Sequence, residues 1–257
     1  VERCGREAPA AAQLDGALAV FHCAGIAHRA ASWQDYETHN YRATLELARR
    51  SCEAGVARFV FLSSVIAADP ADAYGHWKLR TEQELLANHG GHAMNVIVVR
   101  PALVYGVGAR GNLERLVRLV QRGMPTPPAG QARSMVGLAD LCEALCLLTE
   151  IDPGRDRVLT VTDGEAYDLQ RIHRVFATAL DREPGPARWP RWCWWLACAG
   201  YDALQLKPLS GKTWQRLFRG QVFSNAEICQ ALSWQPRQCL EDVAAAMVTE
   251  MMAEATG

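Results

Sequence analysis

At 257 residues, with 49% hydrophobic and 21% charged side chains, the chain has room for one large α/β domain or a large and a small one. A formal net charge of −1 gives no electrostatic case for nucleic acid or an anionic membrane as partner. Nine cysteines, with no Cys-x-x-Cys pair and no Cys/His cluster, read as reduced thiols of a cytoplasmic protein and offer no metal site.

Residues 1–13 are polar and irregular, without a signal-peptide pattern. Leu18–Cys23 reads as a strand that runs into the small-residue loop His22–His28. Its two histidines have no carboxylate or cysteine at ligand spacing, so His22 reads as a packed or capping side chain rather than a chemical one. Ser32–Ala54 reads as one helix, because Trp33, Tyr36, Tyr41, Leu45, Leu47 and Ala48 approximate a 3.6-residue period and Gly55 stops it. Phe59–Leu62 and Val96–Val99 are short apolar runs of the kind buried in parallel sheets. The first ends in Ser63 and Ser64, the second in Pro101–Tyr105, and function in open α/β sheets gathers at such strand ends.

Between those strands lies YGHWK, residues 74–78, on a polar helix. Tyr74 and Lys78 are four apart and share a helix face. An ammonium beside a phenol lowers the phenol's pKa towards neutrality, which makes a base for an alcohol or an acid for a ketone. Further on, Asn112–Arg122 reads as a helix that Asn112 could cap, Asp140 as the cap of another, Arg157–Asp163 as a strand and Asp168–Leu180 as a helix. Trp189, Trp192, Trp194 and Trp195 crowd a very apolar helix, read as core or dimer-facing, with a membrane-surface role as the weaker alternative. At Trp192–Gly200 this segment is far below the ~20 residues needed to cross a bilayer. Lys212–Phe218, Ala226–Leu232 and Leu240–Ala253 complete the expected helices.

The Ser-Ser strand end, YGHWK and RPALVYG together resemble the extended short-chain dehydrogenase/reductase family. THNYRATLELA, GNL and QARSMVGLADLCEAL extend the likeness from about Leu18 to Ala244. It is greatest to the branch of NAD-dependent epimerase/dehydratases that holds nucleotide-sugar 4-epimerases and the 4-keto reductases of surface-polysaccharide synthesis. The resemblance implies an α/β fold, a Rossmann-like doubly wound parallel sheet with a smaller, mostly helical substrate-binding portion. Residues 1–105 would form an incomplete NAD(P)-binding part and 106–257 the nucleotide-sugar part, with strands of the two interleaved. Tyr74 would be the acid/base, Lys78 would bind the nicotinamide ribose and tune it, and Ser64 would bond the substrate oxygen. NAD or NADP would lie along Ala24, Gly25, Asn40, Ser63 and Pro101. A solvent-facing role is the bland alternative for Asn40. The sugar nucleotide would meet Asn112, Arg133 and Arg216 or Arg219. A homodimer through the helices beside Tyr74 is also implied.

The chain departs from the family pattern in several places. No Gly-rich turn precedes Leu18, so the sequence reads as lacking the N-terminal β-α-β portion. That would leave one sheet edge unpaired and apolar. Only nine residues separate Ser64 from Tyr74, which removes most of a sugar-covering loop. Val65 and Ile66 stand where dehydratases carry Asp-Glu, which speaks against dehydration. Trp77 is bulky where a small residue is usual, and Gly137 replaces a His. Epimerase and reductase use the same three residues, so both stay open. So does a catalytically inactive relative that only binds a sugar nucleotide or a partner.

Overall fold

The structure, a computed structural model, describes residues 14–27, 31–89, 94–109, 111–150, 157–185, 189–203 and 220–254. The chain folds as two compact units. The first comprises Val1–Pro101, Ala144–Val161 and Ala226–Trp234, and the second Ala102–Glu143, Thr162–Asn225 and Gln235–Gly257.

The first unit is built on four parallel strands, β1 (Ala19–His22), β2 (Arg58–Leu62), β3 (Asn95–Pro101) and β6 (Arg157–Val161), in the order β1-β2-β3-β6. β2 and β3 are central and covered on both faces, which explains unbroken apolar runs in place of alternation. Phe59, Phe61, Val96 and Val98 pack with Leu47, Ala48 and Leu85 from the helices that follow β1 and β2. β1 pairs only with β2 among the described residues, and Leu18 and Phe21 beside that edge are exposed.

The helix expected over Ser32–Ala54 forms, but it changes pitch. Ser32 caps it reciprocally with Asp35, and α1 (Trp33–Tyr36) and α2 (Ala43–Glu53) flank a π-helical turn at Glu37–Arg42. α3 (Ala73–His89) carries the YGHWK segment between β2 and β3. α8 (Ala226–Leu232) returns to this unit beside β6.

In the second unit, β4 (Leu103–Tyr105) and β5 (Met135–Gly137) form a separate parallel pair, too short to show as periodicity. Around it lie α4 (Asn112–Gln121), α6 (Leu169–Ala179) and α9 (Leu240–Glu254), whose apolar faces meet in one cluster with Tyr105, Met135 and Tyr167. α5 (Leu138–Leu147) follows β5 directly. α7 (Arg191–Ala203) is the tryptophan helix. Trp194 is buried in the cluster, whereas Trp192, Trp195 and Leu196 are exposed, so the core reading holds for one of its faces only. Lys212–Phe218 falls outside the described residues.

Candidate active site

The loop after β1 is held by the amide of Asn40. The π turn swings Asn40 inward until it is 2% exposed. There Asn40 Oδ1 accepts the Ile26 N–H at 2.7 Å and Nδ2 donates to the Ile26 carbonyl at 2.9 Å. Such π turns recur at functional positions because they re-aim one side chain without ending the helix. Gly25 in this loop has φ +145°, and a Cβ there would lie 3.2 Å from Asn40 Oδ1, so glycine meets two demands at once. Ala24 sits beside it; His28 lies outside the described residues.

His22 is a packed histidine. The Thr44 hydroxyl donates its one hydrogen to the Asn40 carbonyl at 2.6 Å, so His22 Nε2 must donate to Thr44 Oγ1, 2.9 Å away. Burial, with the Lys78 ammonium adding to it, pushes the imidazole down to about 4.

At the end of β2, the Ser63 amide donates to the Val99 carbonyl on β3 at 2.7 Å and its hydroxyl donates to Glu82. Ser64 begins a 3₁₀ turn, Val65–Ala68, where its Oγ accepts the Ile66 N–H at 3.3 Å. That turn is most of the short connection to α3, which Asp72 opens by accepting the Gly75 N–H at 2.9 Å. The connection packs hard on the helix: a Cβ at Gly75 would meet Ile66 Cγ2 at 2.9 Å and Pro70 Cα at 3.1 Å. Pro101 closes β3 and is buried.

Tyr74 is half-buried and packs edge-on against Tyr36, with ring centroids 6.0 Å apart. Lys78 is 5% exposed. Its Nζ donates to the Leu62 carbonyl at 2.7 Å and lies 4.5 Å from the Phe61 ring centroid and 5.9 Å from that of Tyr74. Burial pulls the ammonium down to about 8. The expectation that an ammonium beside it lowers the Tyr74 phenol towards neutrality is not met. Burial, then the Tyr36 phenol and the Asp72 carboxylate, push Tyr74 up to about 12. The ammonium is turned to a backbone carbonyl, and desolvation of a phenolate outweighs it. Trp77 turns into a ring cluster with Trp33, Tyr41 and His76, which absorbs its bulk.

The second unit holds the other candidates. Asn112 is exposed at the first turn of α4; the cap position is Gly111, whose N–H reaches Glu114, so Asn112 is not the cap expected of it. Arg133 is half-buried, its backbone exchanging two 2.9 Å hydrogen bonds with Tyr167, and burial lowers its guanidinium against the pull of Asp168. Asp140 does not cap α5. Its carboxylate accepts the backbone N–H of Arg237 at 3.1 Å and of Gln238 at 3.0 Å, fastening the segment before α9. Gly137 sits under that clamp, where a Cβ would face Gln238 Oε1 at 3.3 Å. Arg216 and Arg219 lie outside the described residues.

Sequence reasoning missed two buried carboxylates. Glu82, one turn beyond Lys78, is 1% exposed and binds Arg100 and the Ser63 hydroxyl. Its i+4 spacing from Lys78 was the available signal. Asp163 accepts the hydroxyls of Tyr105 at 2.9 Å and Tyr167 at 2.7 Å, and nothing local in the sequence links those three.

A dinucleotide suits this arrangement at its nicotinamide end. Among the described residues Lys78 makes one hydrogen bond of the three an ammonium can donate, and the Gly25 loop lies at a strand end where backbone can come close. Among the described residues no Gly-rich strand–turn–helix precedes β1 to cradle a pyrophosphate.

Residues 7–160 match the model of the NAD dependent epimerase/dehydratase family. A UDP-glucose 4-epimerase of Vibrio cholerae is 28% identical over 255 residues, covering 89% of this chain and 75% of that protein. Among solved structures, MoeE5 in complex with UDP-glucuronic acid and NAD superposes with a TM-score of 0.72 at 23% identity, over 95% of this chain and 82% of its own. A UDP-glucuronic acid 4-epimerase from Bacillus cereus in complex with NAD gives 0.74 at 16% identity, over 95% and 77%. At these identities the superpositions speak for the fold. None of the helices among the described residues is long and apolar enough to cross a membrane.

Proposed function

Because the chain belongs to the NAD dependent epimerase/dehydratase family, an enzyme family that uses NAD(P), we propose that it acts on a UDP-sugar-like nucleotide sugar at the sugar's C4 position, as a 4-epimerase. The observation that supports this reading is the placement of Ser64 at the head of the short turn after β2 and of Tyr74 and Lys78 on the helix that turn enters, with Lys78 Nζ on the Leu62 carbonyl. Bound NAD(P) would supply the acceptor and donor of hydride. Tyr74 Oη would take the proton from the 4-hydroxyl and return it, while Ser64 Oγ bonds the same oxygen. Lys78 would hold the ribose with its remaining N–H groups, beside the loop at Ala24 and Gly25. Asn112 and Arg133 would meet the diphosphate, for which a guanidinium is suited. A role in surface-polysaccharide synthesis, and a 4-keto reductase in place of an epimerase, are readings of the same residues.

A second reading, a chain that keeps the fold without turnover, has one observation in its favour. With the phenol pushed up to about 12, Tyr74 stays protonated at neutral pH and cannot accept a proton until another positive charge lies near it. Titrating NAD and NADP into the folded protein by calorimetry, then assaying UDP-glucose and UDP-galactose interconversion, separates the two readings. Binding with turnover supports the enzyme; no binding of either dinucleotide supports the second. In an active protein, Tyr74→Phe should lower kcat by about 10²–10⁴-fold with cofactor affinity nearly unchanged. Equal turnover would remove Tyr74 from the acid/base role.

A further inference from the structure

Two side chains one turn apart on α3 grip consecutive residues of the β2 end. Lys78 Nζ holds the Leu62 carbonyl at 2.7 Å, and the Glu82 carboxylate holds the Ser63 hydroxyl. The next residue is Ser64. Glu82 is itself tied to β3, for Arg100 Nε donates to its two oxygens at 3.0 and 3.1 Å and Nη2 makes a further ion pair. Ser63 is also tied to β3 through its amide at Val99. The carboxylate therefore joins β2, β3 and α3 at the point where Ser64 leaves one element and Lys78 belongs to another.

A carboxylate is an expensive choice for a mechanical joint. Buried ion pairs seldom stabilise more than apolar side chains of the same shape, because desolvation offsets the attraction. Glu82 is 1% exposed and the Arg100 side chain 19%. A buried charge kept in such a place is explained if a neighbour needs its field. We propose that Glu82 is a positioning residue for the reaction: it fixes Ser64 relative to Tyr74 through Ser63 and sets its carboxylate one helical turn from the Lys78 ammonium. This rests on the proposed roles of Ser64, Tyr74 and Lys78.

The surroundings of Lys78 agree. On α3 it faces Tyr74 and Glu82, from the β1 end His22 and Cys23, and from β2 the Phe61 ring and the Leu62 carbonyl. Burial pulls the ammonium down, and the Glu82 carboxylate is the first influence acting against it, ahead of Cys23. His22 is held neutral near physiological pH and adds no competing cation.

The test follows the Lys78 ammonium by side-chain ¹⁵N NMR in the whole chain, beside steady-state kinetics. Glu82→Gln should move the Lys78 midpoint down by about one pH unit. It should also lower kcat roughly 10- to 100-fold with KM for the sugar nucleotide little changed. In Glu82→Gln/Arg100→Met, which leaves no buried charge unpaired, thermal stability should recover while kcat and the Lys78 midpoint stay low. An unmoved midpoint, or a kcat that recovers together with stability, would overturn the proposal. Should Glu82→Gln not fold, Ser63→Ala tests the mechanical half: its amide should exchange about tenfold faster and kcat should fall, with the Lys78 midpoint kept. Unchanged exchange and turnover would overturn it. If the parent chain shows no turnover at all, that counts against the proposed function, and the midpoint and exchange data still decide the placement of Glu82.

Discussion

The two units each bury a carboxylate, and they surround it by different means. In the first, Glu82 meets the Arg100 guanidinium as well as a hydroxyl. In the second, the donors that Asp163 meets among the described residues are neutral: the Tyr105 and Tyr167 phenols and the Glu165 N–H at 2.9 Å. Burial therefore prevails at Asp163, whose carboxyl is raised above the usual range despite its hydrogen bonds. Both phenols are raised in turn. The difference teaches that hydrogen-bond number alone does not fix the charge of a buried acid. A neighbouring cation such as Arg100 offsets the cost of burying a carboxylate, whereas neutral donors alone leave burial to dominate at Asp163.

Removing the compensation should break this contrast most visibly. Arg100→Met leaves Glu82 buried without its cation and should cost about 3–5 kcal/mol in urea unfolding. A loss no larger than a surface substitution would show that the pair is solvated. Next in size is a response to acid. His22 titrates at about 4 in the fold against 6.5 in a free chain, so the unfolded chain takes up the proton first. The stability His22 contributes is complete above pH 6.5 and is lost as pH falls towards 4, roughly 3 kcal/mol in all. Asp163 acts in the opposite sense: raised in the fold, it contributes most below its ordinary 3.8 and loses this as pH rises through its raised value. Urea midpoints between pH 7 and 4 should lose their acid slope in His22→Gln; an unchanged slope would mean the imidazole is solvated.

Gly75→Ala tests the short connection between Ser64 and Tyr74. The added methyl meets Ile66 Cγ2 at 2.9 Å and Pro70 Cα at 3.1 Å, so it should cost about 1–3 kcal/mol. A fully stable variant would show that the connection yields. The smallest effect is expected at Asp163→Asn, which keeps an acceptor for both phenols: about 1 kcal/mol near neutral pH. Its acid response should then lack the opposing contribution.

The α3 face that bears Tyr74 and Lys78 was legible because two residues four apart share a helix face wherever that helix lies. β2 and β3 were legible as short unbroken apolar runs rich in β-branched residues, and α4 as a helical period of apolar residues. The Asn112 and Asp140 caps were misplaced by only a few residues, yet the chemistry changed. Gly111 leaves its backbone in the left-handed region at φ +99°, and Asp140 turns to Arg237 and Gln238 almost a hundred residues on. The pitch change at Glu37–Arg42 left no mark, because a π turn costs one residue of register in an otherwise helical pattern.

What the chain's sequence determined by itself is local and periodic: which segments are buried strands, which face of α3 bears the phenol and the ammonium, and which family shares those motifs. Electrostatic character was decided only on folding. Lys78, pulled down to about 8, and Tyr74, pushed up to about 12, owe this first to burial, beside the Phe61 ring and the Tyr36 phenol that other elements contribute. A charge is set by everything within a few ångströms of it, and only the tertiary structure says what that is.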